Sequence, residues 1–240
     1  MKDFEDIYSK FGKIYADRIW GRGSGYGSSR SATRKYRAFL TNFIVDNDVK
    51  SIVELGCGDF EVMKLIVKKG IQYSGYDVVS DVIYKNRSKF ESSNIQFQLV
   101  SDYSALDSGS LLICKDVLQH LPIQECKKII SEVFPHYQHV LVTNCIGHRN
   151  SQSINENIQT GSFTNMDLRR SPYDLDGTVL LEWKAPIRSI IFPTISVANV
   201  IMAPIVLAAL VKMSLKAVIN SDYENHPRWR KHTFHYQGLT

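Results

Sequence analysis

Ser51-Ile-Val-Glu-Leu-Gly-Cys-Gly-Asp-Phe60 decides the fold: an apolar run ends in an acid and passes directly into two glycines one residue apart. A short apolar run bounded by such punctuation reads as a strand buried on both faces, as in a parallel sheet. Glycines 56 and 58 permit a tight turn and a close approach of backbone to ligand, because no Cβ stands in the way. The loop from Glu54 to Phe60 is therefore expected to floor a ligand site. A dinucleotide fingerprint would put a third glycine near Glu61 and receive pyrophosphate on free N–H groups at a helix start. Glu54, Asp59 and Glu61 crowd the turn instead, and together they repel a pyrophosphate and tolerate a cation.

S-adenosylmethionine (SAM) suits that pattern, since it carries a sulfonium, an ammonium and no phosphate. Further along, Gln72-Tyr-Ser-Gly-Tyr-Asp77 reads as a second strand ending in an acid. From the carboxyl end of a neighbouring strand, the Asp77 carboxylate can accept both ribose hydroxyls. Ile95–Val100 reads as a third strand, followed by Asp102, which can accept from an adenine amino group. Leu111–Asp116 and His139–Asn144 read as the fourth and fifth strands, with Thr178–Trp183 and His232–Tyr236 as a final antiparallel pair.

In this order of acids, glycine pair and strands, the stretch from Lys50 to Asn144 resembles the class I SAM-dependent methyltransferases. Cys114-Lys-Asp-Val-Leu-Gln-His-Leu-Pro122 is similar to the family's fourth motif, where the substrate end of the site meets the methyl group. The third glycine of the usual loop is replaced by Phe60. Trp20-Gly-Arg-Gly-Ser-Gly-Tyr-Gly-Ser28, Asn157-Ile-Gln-Thr-Gly161 and Asn165-Met-Asp-Leu-Arg-Arg-Ser-Pro172 look similar to a little-characterised bacterial and plant subgroup. The resemblance implies an α/β fold, a doubly wound, Rossmann-like sheet of seven strands with helices on both faces, and SAM as cofactor. It puts the cofactor on Glu54, Gly56, Cys57, Gly58, Asp59, Asp77 and Val78, and on Asp102, Tyr103 and Lys115 further along.

Length and composition set the frame. A chain of 240 residues holds one α/β domain with a full core. The expected division is an N-terminal helical cap over residues 1–48 and a core over 49–240, with an apolar insertion at about 185–222. A net charge of +5 permits an acidic partner without demanding one, and no dense Lys/Arg tract suggests a nucleic-acid groove. Cys57, Cys114, Cys126 and Cys145 form no Cys-x-x-Cys pair, so neither a disulfide framework nor a zinc site is expected. Without an apolar signal core at its N-terminus, the chain reads as cytoplasmic.

Phe4 to Ile19 carries apolar residues at helical spacing and is expected to close over the cofactor. The four glycines of Gly21–Ser29 make either a linker or, with Tyr26, a wrap for the methionine end of SAM. Ser29 or Ser31 is expected to cap the next helix. Leu121 to Val133 reads as a helix with Pro122 in its first turn. Asn144 to Pro172 is long, polar and without apolar periodicity, and is expected to carry substrate recognition. From Ser189 to Val211 run 23 residues without a charge, flanked by Lys and Arg. Pro193 and Pro204 and the need to return to the same sheet argue against a spanning helix. Burial in the protein, a homodimer contact or peripheral contact with a membrane surface remain as readings.

Methyl transfer from a sulfonium needs alignment first, and a base only where the acceptor must lose a proton. For a hydroxyl acceptor that base would be His120, helped by Asp116 on the same face of a helical turn, against a purely structural role for both. Asn144, His148 and Asn157 are candidates for binding a hydroxyl-rich substrate. Asp116 with Asn144 lacks a third carboxylate, so metal independence is expected. The function expected is O-methylation of a small-molecule or glycan hydroxyl, lipid-linked in one version. The alternatives are methylation of protein, methylation of RNA held by Arg149, Arg169 and Arg170, and an inactive methyltransferase-like binding protein.

Overall fold

The computed structural model describes residues 2–21, 23–147, 153–184 and 230–237. His148, Arg149 and the uncharged 189–211 segment lie outside the described residues. Strands β1 (Ser51–Leu55), β2 (Gln72–Asp77), β3 (Ile95–Leu99), β4 (Gly109–Lys115) and β5 (Tyr137–Cys145) pair in parallel. Strand β7 (Arg230–Gln237) runs antiparallel between β5 and β6 (Thr178–Lys184). The order is β3-β2-β1-β4-β5-β7-β6, the doubly wound sheet expected. Strand order reverses at β1, which lies between β2 and β4, so a crevice opens at the carboxyl ends of these three strands.

The central strands are apolar because both faces are covered. Val53, Leu112 and Val140 pack on one side with Ile7, Phe11 and Ile14 of helix α1 (Lys2–Ala16) and Ile129 of helix α4 (Ile123–Glu132). Ile52, Leu111 and Leu141 pack on the other with Tyr36, Leu40 and Phe43 of helix α2 (Arg34–Asp46). Helix α3 (Ser80–Phe90) follows β2 and contributes Val82 to the first core and Ile83 to the second.

The turn after β1 leads into a 3₁₀ turn, Met63–Leu65. Phe60, Met63 and Ile66 are all buried, and their three-residue spacing matches the period of a 3₁₀ helix. Helix α2 starts at Arg34 with Thr33 at the cap position and no side-chain capping bond. Ser29 acts one turn earlier, its hydroxyl accepting from the Ala32 N–H at 3.3 Å.

Candidate active site

A cavity of about 930 Å³, its open mouth included, lies at the carboxyl ends of β1, β2 and β4. The Gly56–Asp59 turn forms its floor, Asp77 and Val78 stand at the β2 end, and Lys115, Asp116 and His120 stand at the β4 end.

The turn keeps a left-handed backbone: φ is +77° at Gly56, +52° at Gly58 and +60° at Phe60. A Cβ at Gly56 would lie 2.3 Å from Val117 Cγ2, and one at Gly58 would lie 2.1 Å from Ser24 Oγ. Protein atoms therefore demand these glycines independently of any ligand. Phe60 holds a glycine-like conformation that costs roughly 1–2 kcal/mol in an L-residue. Its ring offsets that cost by sitting 5.0 Å from Tyr73, 5.3 Å from Phe90 and 5.0 Å from Phe97.

Asp77 ends β2 and ties the floor to it. Its Oδ2 accepts the Gly58 N–H at 2.9 Å and its Oδ1 the Val79 N–H at 3.0 Å. Each carboxylate oxygen retains a lone pair for a ligand hydroxyl. Burial raises the Asp77 pKa, against the backbone N–H groups of Gly58, Val79 and Val78. Glu54 is enclosed at the end of β1 and accepts from the Tyr73 hydroxyl. Burial pushes its carboxyl up to about 8, opposed by Tyr73 and by the Lys115 charge. Burial and the Asp77 and Glu54 charges raise the Cys57 thiol well above its usual range, so it stays protonated.

The N-terminal segment supplies a wall, as the α1 pattern predicts. Ile7, Phe11, Tyr15, Trp20, Ser24 and Ser28 all face the cavity. Ser24 is the clasp: its hydroxyl donates to Asp59 Oδ1 at 2.9 Å and accepts the Asp59 N–H at 2.9 Å, while its N–H reaches Asp59 Oδ2 at 3.1 Å. The Tyr15 hydroxyl lies 2.9 Å from Ser24 Oγ, and the Tyr8 hydroxyl donates to the Val100 carbonyl. The glycine loop is thus part of the site, through Ser24 and Ser28 and not through Tyr26.

At the β4 end, Asp116 and His120 are not partners. Asp116 Oδ2 accepts from Lys115 Nζ at 2.6 Å, and Lys231 Nζ lies 2.5 Å from both carboxylate oxygens. Burial would raise the Asp116 pKa, yet the two ammonium groups hold it far below the carboxylate range. Lys115 is itself lowered by burial, and Lys231 is raised because Asp116 outweighs its burial. His120 lies in the 3₁₀ turn Leu118–His120 and donates through Nδ1 to the Ser162 carbonyl at 2.7 Å. A carbonyl only accepts, so Nε2 carries the lone pair, with Gln119 Nε2 3.3 Å away. The Cys145 N–H donates to Gln119 Oε1 at 2.8 Å and so orients that amide. Trp20 packs on the imidazole at a centroid distance of 5.0 Å, and burial lowers the His120 pKa, leaving it neutral near pH 7.

Several expected residues stay out of the cavity. Asp102 is exposed and caps the 3₁₀ turn Tyr103–Ala105, accepting from the Ser104 N–H at 3.2 Å and hydroxyl at 2.8 Å. Its neighbours Val100 and Tyr103 line the wall in its place. Asn157 Oδ1 accepts the Ile123 N–H at 3.1 Å and so caps α4. Asn144 is fully enclosed, its amide without a partner among the described residues, and does not line the cavity. Over residues 153–175 the long polar segment braces the neighbouring turn. Gly161 N–H binds the His120 carbonyl at 2.9 Å and Thr164 N–H the Gln119 carbonyl at 3.0 Å, while Arg169 and Arg170 both turn to the buried Asp167. Lys231 had no sequence signal, because only the β5–β7 pairing brings it to Asp116.

No protein-family model and no curated protein matches the sequence. Solved structures do. The N-methyltransferase NodS from Bradyrhizobium japonicum WM9, in complex with S-adenosyl-L-homocysteine, is similar with a TM-score of 0.57 at 9% identity, covering 98% of this chain and 100% of that one. The magnesium protoporphyrin IX methyltransferase from Synechocystis PCC 6803, with bound SAM, gives 0.51 at 14% identity over 75% of this chain and 91% of that one. With the strand order, the carboxyl-end cavity and the glycine–acid turn, these likenesses establish that the chain has the fold of the class I SAM-dependent methyltransferases.

Proposed function

We propose that the protein is a SAM-dependent methyltransferase acting on a hydroxyl of a small molecule or glycan. One observation carries this reading. The Asp77 carboxylate and the Gly56–Asp59 turn converge on one cavity, and that end is acidic, bounded by Asp59, Glu61 and Asp77. Bound SAM would supply an electrophilic methyl group on a sulfonium.

The chain's own residues do the rest. Asp77 accepts ribose hydroxyls with the lone pairs that Gly58 and Val79 leave free. Asp59 favours the cofactor's positive charge and disfavours a pyrophosphate, while Glu61 is paired with Lys64. The wall of Ile7, Phe11 and Trp20 excludes water from an otherwise open crevice. His120, neutral and held as the Nδ1–H tautomer, takes the acceptor's proton on Nε2 once the acceptor displaces the 3.3 Å contact from Gln119 Nε2, and the Ser162 carbonyl stabilises the imidazolium that forms. Asp116 takes no part in that step, because both its oxygens are engaged by lysines.

Calorimetric titration with S-adenosylhomocysteine tests the reading. Binding to the wild type is expected, weakened in Asp77→Ala by roughly the 1.5–3 kcal/mol of hydrogen bonds to a charged group, or about ten- to a hundredfold. A wild type that binds neither this ligand nor SAM would sink it.

A further inference from the structure

Lys115 and Lys231 bring two ammonium groups to the single carboxylate of Asp116, so the cluster carries a net charge of +1. The lysine side chains are only 4% and 6% exposed. Among the described residues neither makes any other salt bridge. Burying an uncompensated charge is costly, and such a cluster calls for a further anion. Lys115 is the member that reaches the cavity; its Nζ donates to Asp116 and, at 3.2 Å, to the Gly27 carbonyl, lies 5.9 Å from the centre of the Tyr36 ring, and makes no third hydrogen bond among the described residues. Lys231 stands behind, held 2.5 Å from both Asp116 oxygens. Glu54 is enclosed as well, and burial raises its pKa against the Lys115 charge, which makes it a poor counter-charge.

The cavity is therefore polarised. Its β1–β2 end carries acids suited to the sulfonium and ammonium of the cofactor, and its β4 end carries an excess cation. The cofactor's single carboxylate shares a carbon with its ammonium and is drawn with it toward the acidic end, which leaves the excess at the β4 end to the second substrate. Resting on the methyltransferase reading, we propose that the acceptor bears an anionic oxygen group, a carboxylate or phosphate, held by Lys115 and braced by Lys231 through Asp116.

Inorganic phosphate serves as the probe. It is titrated at constant ionic strength into the wild type, Lys115→Met, Lys115→Arg and Lys231→Met, with and without saturating S-adenosylhomocysteine, and followed by thermal stabilisation. Saturable binding to the wild type is expected, weakened at least about tenfold in both Met variants, the loss of a hydrogen bond to a charged group, and retained in Lys115→Arg. 5′-Methylthioadenosine, a thioether nucleoside without a carboxylate, serves as the control for folding, and S-adenosylhomocysteine binding is expected to weaken no more than methylthioadenosine binding does in each variant.

Three results overturn the proposal: no phosphate binding to the wild type, phosphate binding unchanged in Lys115→Met, or a loss of S-adenosylhomocysteine but not methylthioadenosine affinity in that variant. The last result gives the lysine to the cofactor's own carboxylate. If Lys115→Met fails to bind even methylthioadenosine, its fold is damaged, and Lys231→Met decides: unchanged phosphate affinity there overturns the proposal. A wild type that binds phosphate but neither nucleoside ligand refutes the methyltransferase reading instead.

Discussion

Glu54 shows at the scale of one residue how a motif position gains its properties from enclosure. An acid at the end of β1 is evident from Glu54-Leu-Gly-Cys-Gly58, but its protonation is not, because that depends on Tyr73 and Lys115 arriving from β2 and β4. In the unfolded chain a glutamate titrates near pH 4.3 or so, whereas here burial pushes it up to about 8. Between those values the folded protein keeps a proton that the unfolded chain has released. Its contribution to stability is thus full at low pH and is lost as pH rises through the folded value, at up to about 1.4 kcal/mol per unit. Urea unfolding of wild type and Glu54→Gln at about pH 5 and pH 8 checks the sign. The wild type is expected to lose stability relative to the variant by a few kcal/mol across that window, and an equal response in both would show Glu54 to be ionised throughout.

At the scale of elements, the informative contact joins the N-terminal segment to the glycine turn. Both partners are legible in the sequence as glycine-rich stretches, yet their meeting is not, since Ser24 and Asp59 are 35 positions apart and only packing of Ile7, Phe11 and Ile14 on the sheet brings them together. Gly23 has φ +56°, and a Cβ there would fall 1.9 Å from Asp59 Oδ2. Gly23→Ala is therefore expected to lift the loop off Asp59, speed hydrogen exchange over residues 5–21 and weaken S-adenosylhomocysteine binding about tenfold, as loss of one charge-assisted hydrogen bond implies. Unaltered exchange in that segment would show that the clasp does not hold the wall. The 153–175 segment makes the opposite point. Its polarity suggested substrate contact, but Asn157 caps α4 and Ser162 fixes His120, so its polar groups serve the backbone of a neighbouring turn.

Across the whole molecule, Asp116 links three parts of the fold: β4 through its own backbone, β7 through Lys231, and the N-terminal loop through Lys115 and Gly27. It also sits at φ +60°, a left-handed position that the surrounding contacts impose. Asp116→Asn leaves two enclosed ammonium groups without a counter-charge and is expected to destabilise the protein by about 3–5 kcal/mol. Lys231→Met keeps the balanced Lys115–Asp116 pair and is expected to cost less. Urea midpoints rank the two, and a larger loss in Lys231→Met would show that the lysine packs rather than balances charge. Among the described residues no helix is long and apolar enough to cross a membrane.

The sequence by itself determined the strands, their alternation with helices, and the glycine–acid turn, because apolar runs and backbone punctuation are local properties of the chain. It also placed Asp77 and the apolar face of α1, since strand ends and helical spacing are read along the chain. Tertiary structure alone decided that Asp116 serves two lysines and not His120, that Asp102 caps a 3₁₀ turn and Asn157 caps α4, and that Lys231 belongs beside the site. Those assignments rest on which polar groups meet after burial. An enclosed charge or N–H takes whichever partner the fold brings within hydrogen-bond reach, and that partner comes from a strand or loop far away in the chain.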